Sequence, residues 1–130
     1  MFAGLGHRRL AIVDLSERGA QPMADPSGRC WIITNGEVYN APSLSTGLRA
    51  RGVRFRSRAV TEVLAALFAA DGPGAFAQLN GMFSCAVFDT LSGDLTIARD
   101  RFGGKPLYYA WTPDGFLFGS EARSLLAWSR

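Results

Sequence analysis

The 130-residue sequence predicts an α+β domain built on antiparallel sheet. Three observations carry that expectation. Strand-like apolar runs open the chain, helical patterns occupy its middle, and four more strand-like runs then follow with only short turns between them. Consecutive strands joined by short turns pair antiparallel, whereas parallel pairs need long crossovers. The length suits one domain with a real hydrophobic core. Apolar residues at 48% and charged residues at 19% are those of a folded chain rather than a disordered one.

In order along the chain, Leu10-Ala11-Ile12-Val13 reads as a strand ending at Asp14. The stretch 15–26 reads as a loop, broken by Gly19, Pro22 and Pro26, and Pro26-Ser27-Gly28 as a turn. A second strand is expected over 29–34, carrying Cys30, Trp31, Ile32 and Ile33. The hexapeptide Asn35-Gly36-Glu37-Val38-Tyr39-Asn40 then follows the strand's end. Asn40 suits a helix cap and Pro42 a first helical turn, giving a weak helix that stops at Gly52. Val53-Arg54-Phe55-Arg56 alternates as a short strand. The strongest helix spans 61–70, with Val63, Leu64, Leu67 and Phe68 as its apolar stripe and Asp71-Gly72-Pro73-Gly74 as its stop. A short helix over 75–79 is followed by strands over 82–88, 95–98, 107–111 and 116–118, and a closing helix covers 121–128.

Composition excludes several classes of function. No apolar run reads as a membrane span, and no basic segment followed by a long apolar one marks a signal peptide, so a cytoplasmic protein without membrane partners is expected. Net charge is +3, and all but one of the 14 basic residues are arginine, the exception being Lys105. Arg49, Arg51, Arg54, Arg56 and Arg58 cluster, but without a reading motif or interleaved aromatics they fit a solvated face better than a nucleic-acid footprint. Cys30 and Cys85 have no metal-ligand spacing and read as buried thiols. No metal site is expected.

The hexapeptide gathers an amide, a backbone-permissive glycine and a carboxylate beside a strand. Asn35 and the Gly36 N–H could donate to an oxyanion. Glu37 could hold an ammonium, and Arg9 a carboxylate through a two-pronged contact. Each has a plainer reading taken singly: Asn-Gly is commonly a turn, a lone Arg a surface ion pair, and His7 a structural residue.

Six blocks in order change that weighting. They are Gly6 to Asp14, Gly19-Ala20-Gln21-Pro22-Met23, the hexapeptide, Asn80-Gly81-Met82-Phe83, Arg99 to Tyr109, and Ser120 to Leu126. Together they resemble the glutamine-hydrolysing, class II amidotransferase domain of asparagine synthase over nearly the whole chain. The resemblance implies an N-terminal-nucleophile hydrolase fold, an αββα sandwich of antiparallel sheets, here incomplete, with residues 1–130 as a partial amidotransferase domain. It implies glutamine as the ligand. Arg9 would bind its α-carboxylate, Asn35 and Gly36 would form the oxyanion hole, and Glu37 would help hold the substrate. No cofactor is implied for this chain; ATP and magnesium would belong to a synthetase domain or partner that it lacks.

Two positions depart from the family pattern. The family begins with a cysteine whose thiol attacks the amide and whose own amine acts as base. Here Phe2 follows Met1, and the first strand and its nucleophile are expected to be missing. The family's ammonium-binding carboxylate is replaced by Val60 in Ala59-Val60-Thr61-Glu62. The sequence therefore predicts an inactive amidotransferase piece. The alternative is a non-catalytic module of an asparagine synthase relative, such as a β-lactam-type synthetase.

Overall fold

The computed structural model describes residues 2–8 and 17–128. Four antiparallel strands form the main sheet in the order β1–β2–β3–β4: Met23–Ala24, Cys30–Val38, Gly81–Asp89 and Leu95–Arg99. A hairpin of β5 (Tyr108–Thr112) and β6 (Gly115–Gly119) forms a second sheet. Helices α1 (Ala41–Ala50) and α2 (Val60–Asp71) pack together, α2 lying on β1 and β2. Helix α3 (Ala122–Trp128) packs on β5 and β6. The expected α+β architecture of antiparallel sheet between helical layers is the observed one.

Helix α2 shows why the core sits where it does. Every residue from Thr61 to Phe68 is buried, so the helix is enclosed around its full circumference rather than along one stripe. One side meets β2 and the other meets α1 and a 3₁₀ segment, Gly72–Gln78, which replaces the expected short α-helix. Val60–Gln78 is in fact long and apolar enough to cross a membrane by length and composition, which corrects the expectation from the sequence. Its burial in this core and the break at Gly72, whose φ is +64°, account for the same composition. Ile32, Leu48, Phe83 and Val87 complete the core.

Other expectations need correction. The second strand does not stop at Thr34: β2 continues through Asn35, Gly36 and Glu37 to Val38 in unbroken register with β3. The loop 15–26 contains a 3₁₀ turn at Glu17–Gly19 and the short strand β1. Val53–Arg56 is not a strand. Its apolar residues Val53 and Phe55 pack on the core, but no strand among the described residues lies beside it to form a ladder. Its exit is tied down instead by the buried Glu62 carboxylate, which accepts the Arg56 and Ser57 amides at 2.7 and 2.8 Å and the Ser57 hydroxyl at 2.6 Å. Glu62→Ala would strand those donors, and a stability loss of about 3 kcal/mol is expected in urea unfolding. The final strands form two hairpin pairings in separate sheets rather than one meander. The expected strand over Leu10–Val13 lies outside the described residues.

Asn40 precedes α1 but makes no side-chain cap. Its Nδ2 donates to the Gln78 carbonyl at 2.8 Å and its Oδ1 accepts the Asn80 amide at 2.9 Å. The end of the hexapeptide is thereby pinned to the start of β3.

Candidate functional site

Within the hexapeptide, position 36 admits only glycine. Its φ is +115°, a region that residues with a Cβ rarely adopt. A Cβ at this position would lie 2.0 Å from the Met82 carbonyl oxygen and 2.9 Å from Phe83 Cα. Gly81 on the facing strand is constrained by space alone, since a Cβ there would lie 2.1 Å from the Glu37 carbonyl oxygen. Two glycines thus let β2 and β3 approach closely where the hexapeptide crosses.

The ladder sets the direction of the Gly36 amide. Phe83, its partner on β3, turns both polar groups the other way: its N–H donates to Asp100 Oδ2 at 3.1 Å and its carbonyl accepts the Asp100 amide at 2.9 Å. Gly36 and Phe83 are therefore a non-hydrogen-bonded pair, and the Gly36 N–H points to the opposite edge of β2. The same alternation holds along that edge. Cys30 N–H donates to Asp25 Oδ1 at 2.7 Å, and Thr34 N–H donates to Gln21 Oε1 at 2.7 Å. Strand β1 pairs only with Trp31 and Ile32, so Gly36 lies beyond it on that edge.

Asn35 faces a cleft of about 710 Å³ between the two sheets. Ile33, Ser84 and Ala86 line it from the main sheet, Phe116 and Phe118 from the hairpin, and His7 from the N-terminal segment. Among the described residues singled out from sequence as substrate-binding, Asn35 alone lines this cleft; Gly36 and Glu37 follow it on β2, with Glu37 exposed. Val60 is the first residue of α2, half-buried and packed against the core. Its helix is linked to β2 through Gln21, whose Nε2 donates to Thr61 Oγ1 at 3.1 Å while its Oε1 holds Thr34. Arg9 lies outside the described residues.

The loop 99–106 closes over Gly36. Asp100, buried, accepts amides from Phe102 at 3.0 Å and Gly104 at 3.1 Å, besides that of Phe83. The Gly104 amide foremost, with Phe83, Lys105 and Phe102, holds this carboxyl below the usual carboxylate range. Arg99 Nε and Nη2 donate to the Lys105 and Gly103 carbonyls at 2.6 and 2.8 Å. A Cβ on Gly104 would lie 2.7 Å from Met82 Cβ, and Lys105 Cγ lies 2.9 Å from where a Gly36 Cβ would be. The sequence signal for these contacts is the Arg99 to Pro106 block, to which the motif alone assigns no chemical role.

Neither cysteine offers a nucleophile. Cys30 and Cys85 sit inside β2 and β3, almost wholly buried. Burial pushes the Cys30 thiol up to about 11 and the Cys85 thiol up to about 12, so both are protonated at neutral pH. Among the described residues no group of His, Cys, Asp and Glu could hold a metal ion.

Residues 2–130 match the family model of the glutamine amidotransferase domain. The chain is 45% identical over 124 residues to asparagine synthetase [glutamine-hydrolyzing] 3 of Bacillus subtilis, covering 94% of this chain and 20% of that protein. It is 36% identical over 124 residues to amidase chry2 of Gibberella zeae, covering 95% of this chain and 18% of that one. The chain thus spans about a fifth of the length of the curated relatives it matches. Among solved structures, glutamine phosphoribosylpyrophosphate amidotransferase from B. subtilis superposes with a TM-score of 0.76 at 23% identity, covering 92% of this chain and 28% of that one. That likeness establishes the fold, and the expected α+β sandwich of antiparallel sheets is the architecture present. With the family match spanning residues 2–130, this chain belongs to the glutamine amidotransferase domain family.

Proposed function

We propose that this chain carries the substrate-holding edge of a glutamine site of the asparagine synthetase type, and that the 130-residue polypeptide binds glutamine without hydrolysing it. The Gly36 N–H, turned to the edge of β2 beyond β1, is the observation that supports this most directly. In this reading the Gly36 N–H and Asn35 Nδ2 meet the oxygen of the glutamine carboxamide, where charge would develop in hydrolysis. Arg9 takes the α-carboxylate, and Glu37 helps to hold the rest of the amino acid. Hydrolysis further requires a thiolate attacking the amide carbon and a base to accept its proton. The protonated, strand-bound Cys30 and Cys85 supply neither. ATP-dependent use of ammonia would lie in a synthetase domain or partner outside this chain.

Val60 favours a second reading, a non-catalytic module that has given up glutamine, because an aliphatic side chain stands where the family has a carboxylate. Calorimetry separates the two. The amidotransferase reading expects saturable L-glutamine binding, weakened at least about fivefold by Asn35→Ala through loss of one hydrogen bond, with no ammonia released. Absence of binding to the wild-type chain would favour the module, and ammonia release lost on Asn35→Ala would overturn the claim of inactivity.

A further inference from the structure

We infer that Asp100 is a positioning residue for the Gly36 amide, acting through the loop it holds. The inference rests on the glutamine-site reading for its functional meaning, but its structural content stands separately. At the end of β4, Asp100 does two things at once. Its backbone N–H continues the ladder to the Phe83 carbonyl at 2.9 Å. Its carboxylate takes the Phe83 N–H at 3.1 Å, a role that a strand carbonyl ordinarily fills. Phe83 is thereby committed entirely to the β4 side, which leaves Gly36, across the ladder, with its polar groups on the opposite edge.

The other carboxylate contacts act on the loop. The Phe102 and Gly104 amides converge on Oδ1, and the Lys105 amide approaches Oδ2 at 3.4 Å. Gly103, at φ +64°, allows the reversal and donates to the Asp100 carbonyl at 3.0 Å. The turn so formed presses Gly104 on Met82 and the Lys105 stem on Gly36. One buried carboxylate therefore fixes Gly36 from both sides, through its strand partner and through the loop above it. A neutral amide cannot satisfy this many donors, because its nitrogen is itself a donor.

The test compares the 130-residue chain with Asp100→Asn, Gly104→Ala and Asp89→Asn by amide resonances, amide hydrogen exchange and glutamine calorimetry. Gly104→Ala keeps the carboxylate but drives a Cβ into Met82, lifting the loop. Asp89, at the far end of β3 and paired with Arg29, is a matched buried carboxylate that should lower stability without touching Gly36. Asp100→Asn and Gly104→Ala are expected to shift the Gly36 amide resonance and to weaken glutamine binding about fivefold or more, and Asp100→Asn to speed exchange of the Phe83 amide about tenfold beyond any change in global unfolding. Asp89→Asn should do none of these. Should Asp100→Asn fail to fold, Gly104→Ala decides. A Gly36 amide unchanged in both variants, with only a lower melting temperature, would overturn the inference. If the wild-type chain binds no glutamine, the glutamine reading fails, while the Gly36 resonance still decides the role of Asp100.

Discussion

Gly36→Ala is expected to lower the stability of the chain by at least about 4 kcal/mol, at the large end of single-substitution effects. Two independent costs act together. The φ of +115° is one that a residue with a Cβ adopts only under strain. The added carbon would stand 2.0 Å from the Met82 carbonyl oxygen and 2.9 Å from Phe83 Cα, both backbone atoms of the central strand. No rotamer change relieves such a clash, so β2 and β3 would have to separate where Asn35 and Gly36 cross them. Glycine position alone does not produce this effect. Gly47, inside α1, has no positive φ, and a Cβ added there would meet nothing within 4 Å, so Gly47→Ala should stabilise by about 0.5–1 kcal/mol through helix propensity. Urea unfolding of the two variants side by side measures the contrast. A Gly36→Ala chain within about 1 kcal/mol of wild type would show that the close approach of the strands is not what Gly36 serves.

Val60→Asp is expected to tighten L-glutamine binding about tenfold, the equivalent of one charge-assisted hydrogen bond to the ammonium group. The substituted side chain would stand in the first turn of α2, where a carboxylate is also favoured by the helix dipole. That helix start is held to β2 by the Gln21 side chain bridging Thr61 and Thr34, one residue before Asn35. Because Val60 packs partly on the core, the exchange should cost about 1 kcal/mol of stability. Calorimetry at neutral pH reads the affinity, and thermal melting reads the stability. An affinity equal to wild type in a folded Val60→Asp chain would show that position 60 does not face the ligand.

The order of elements was legible in the sequence because periodicity and turn residues are local. What was not legible depends on contacts between distant residues. Asn35-Gly36 carries a turn signal, yet it lies inside a strand, because the facing Gly81 and the twist at Gly36 let two backbones come together. Val53–Arg56 alternates like a strand, but alternation requires a neighbour to become a ladder, and the Glu62 carboxylate took its place. The division of the later strands between two sheets depends on the turn around Asp100, whose role appears only once Phe83 and Gly104 converge on it. Of the site itself, the Asn35, Gly36 and Glu37 cluster came from the motif, whereas the outward direction of the Gly36 N–H follows from ladder parity alone.

Titration of the ¹⁵N-labelled chain with L-glutamine, following the Gly36 backbone amide and the Asn35 side-chain amide, tests the central claim most directly. Both resonances should move together and saturate, with the Gly47 amide in α1 unmoved and D-glutamine without effect. Saturating shifts confined to other residues, or none at Gly36 and Asn35 while the chain remains folded, would contradict the assignment of this strand edge to the glutamine carboxamide.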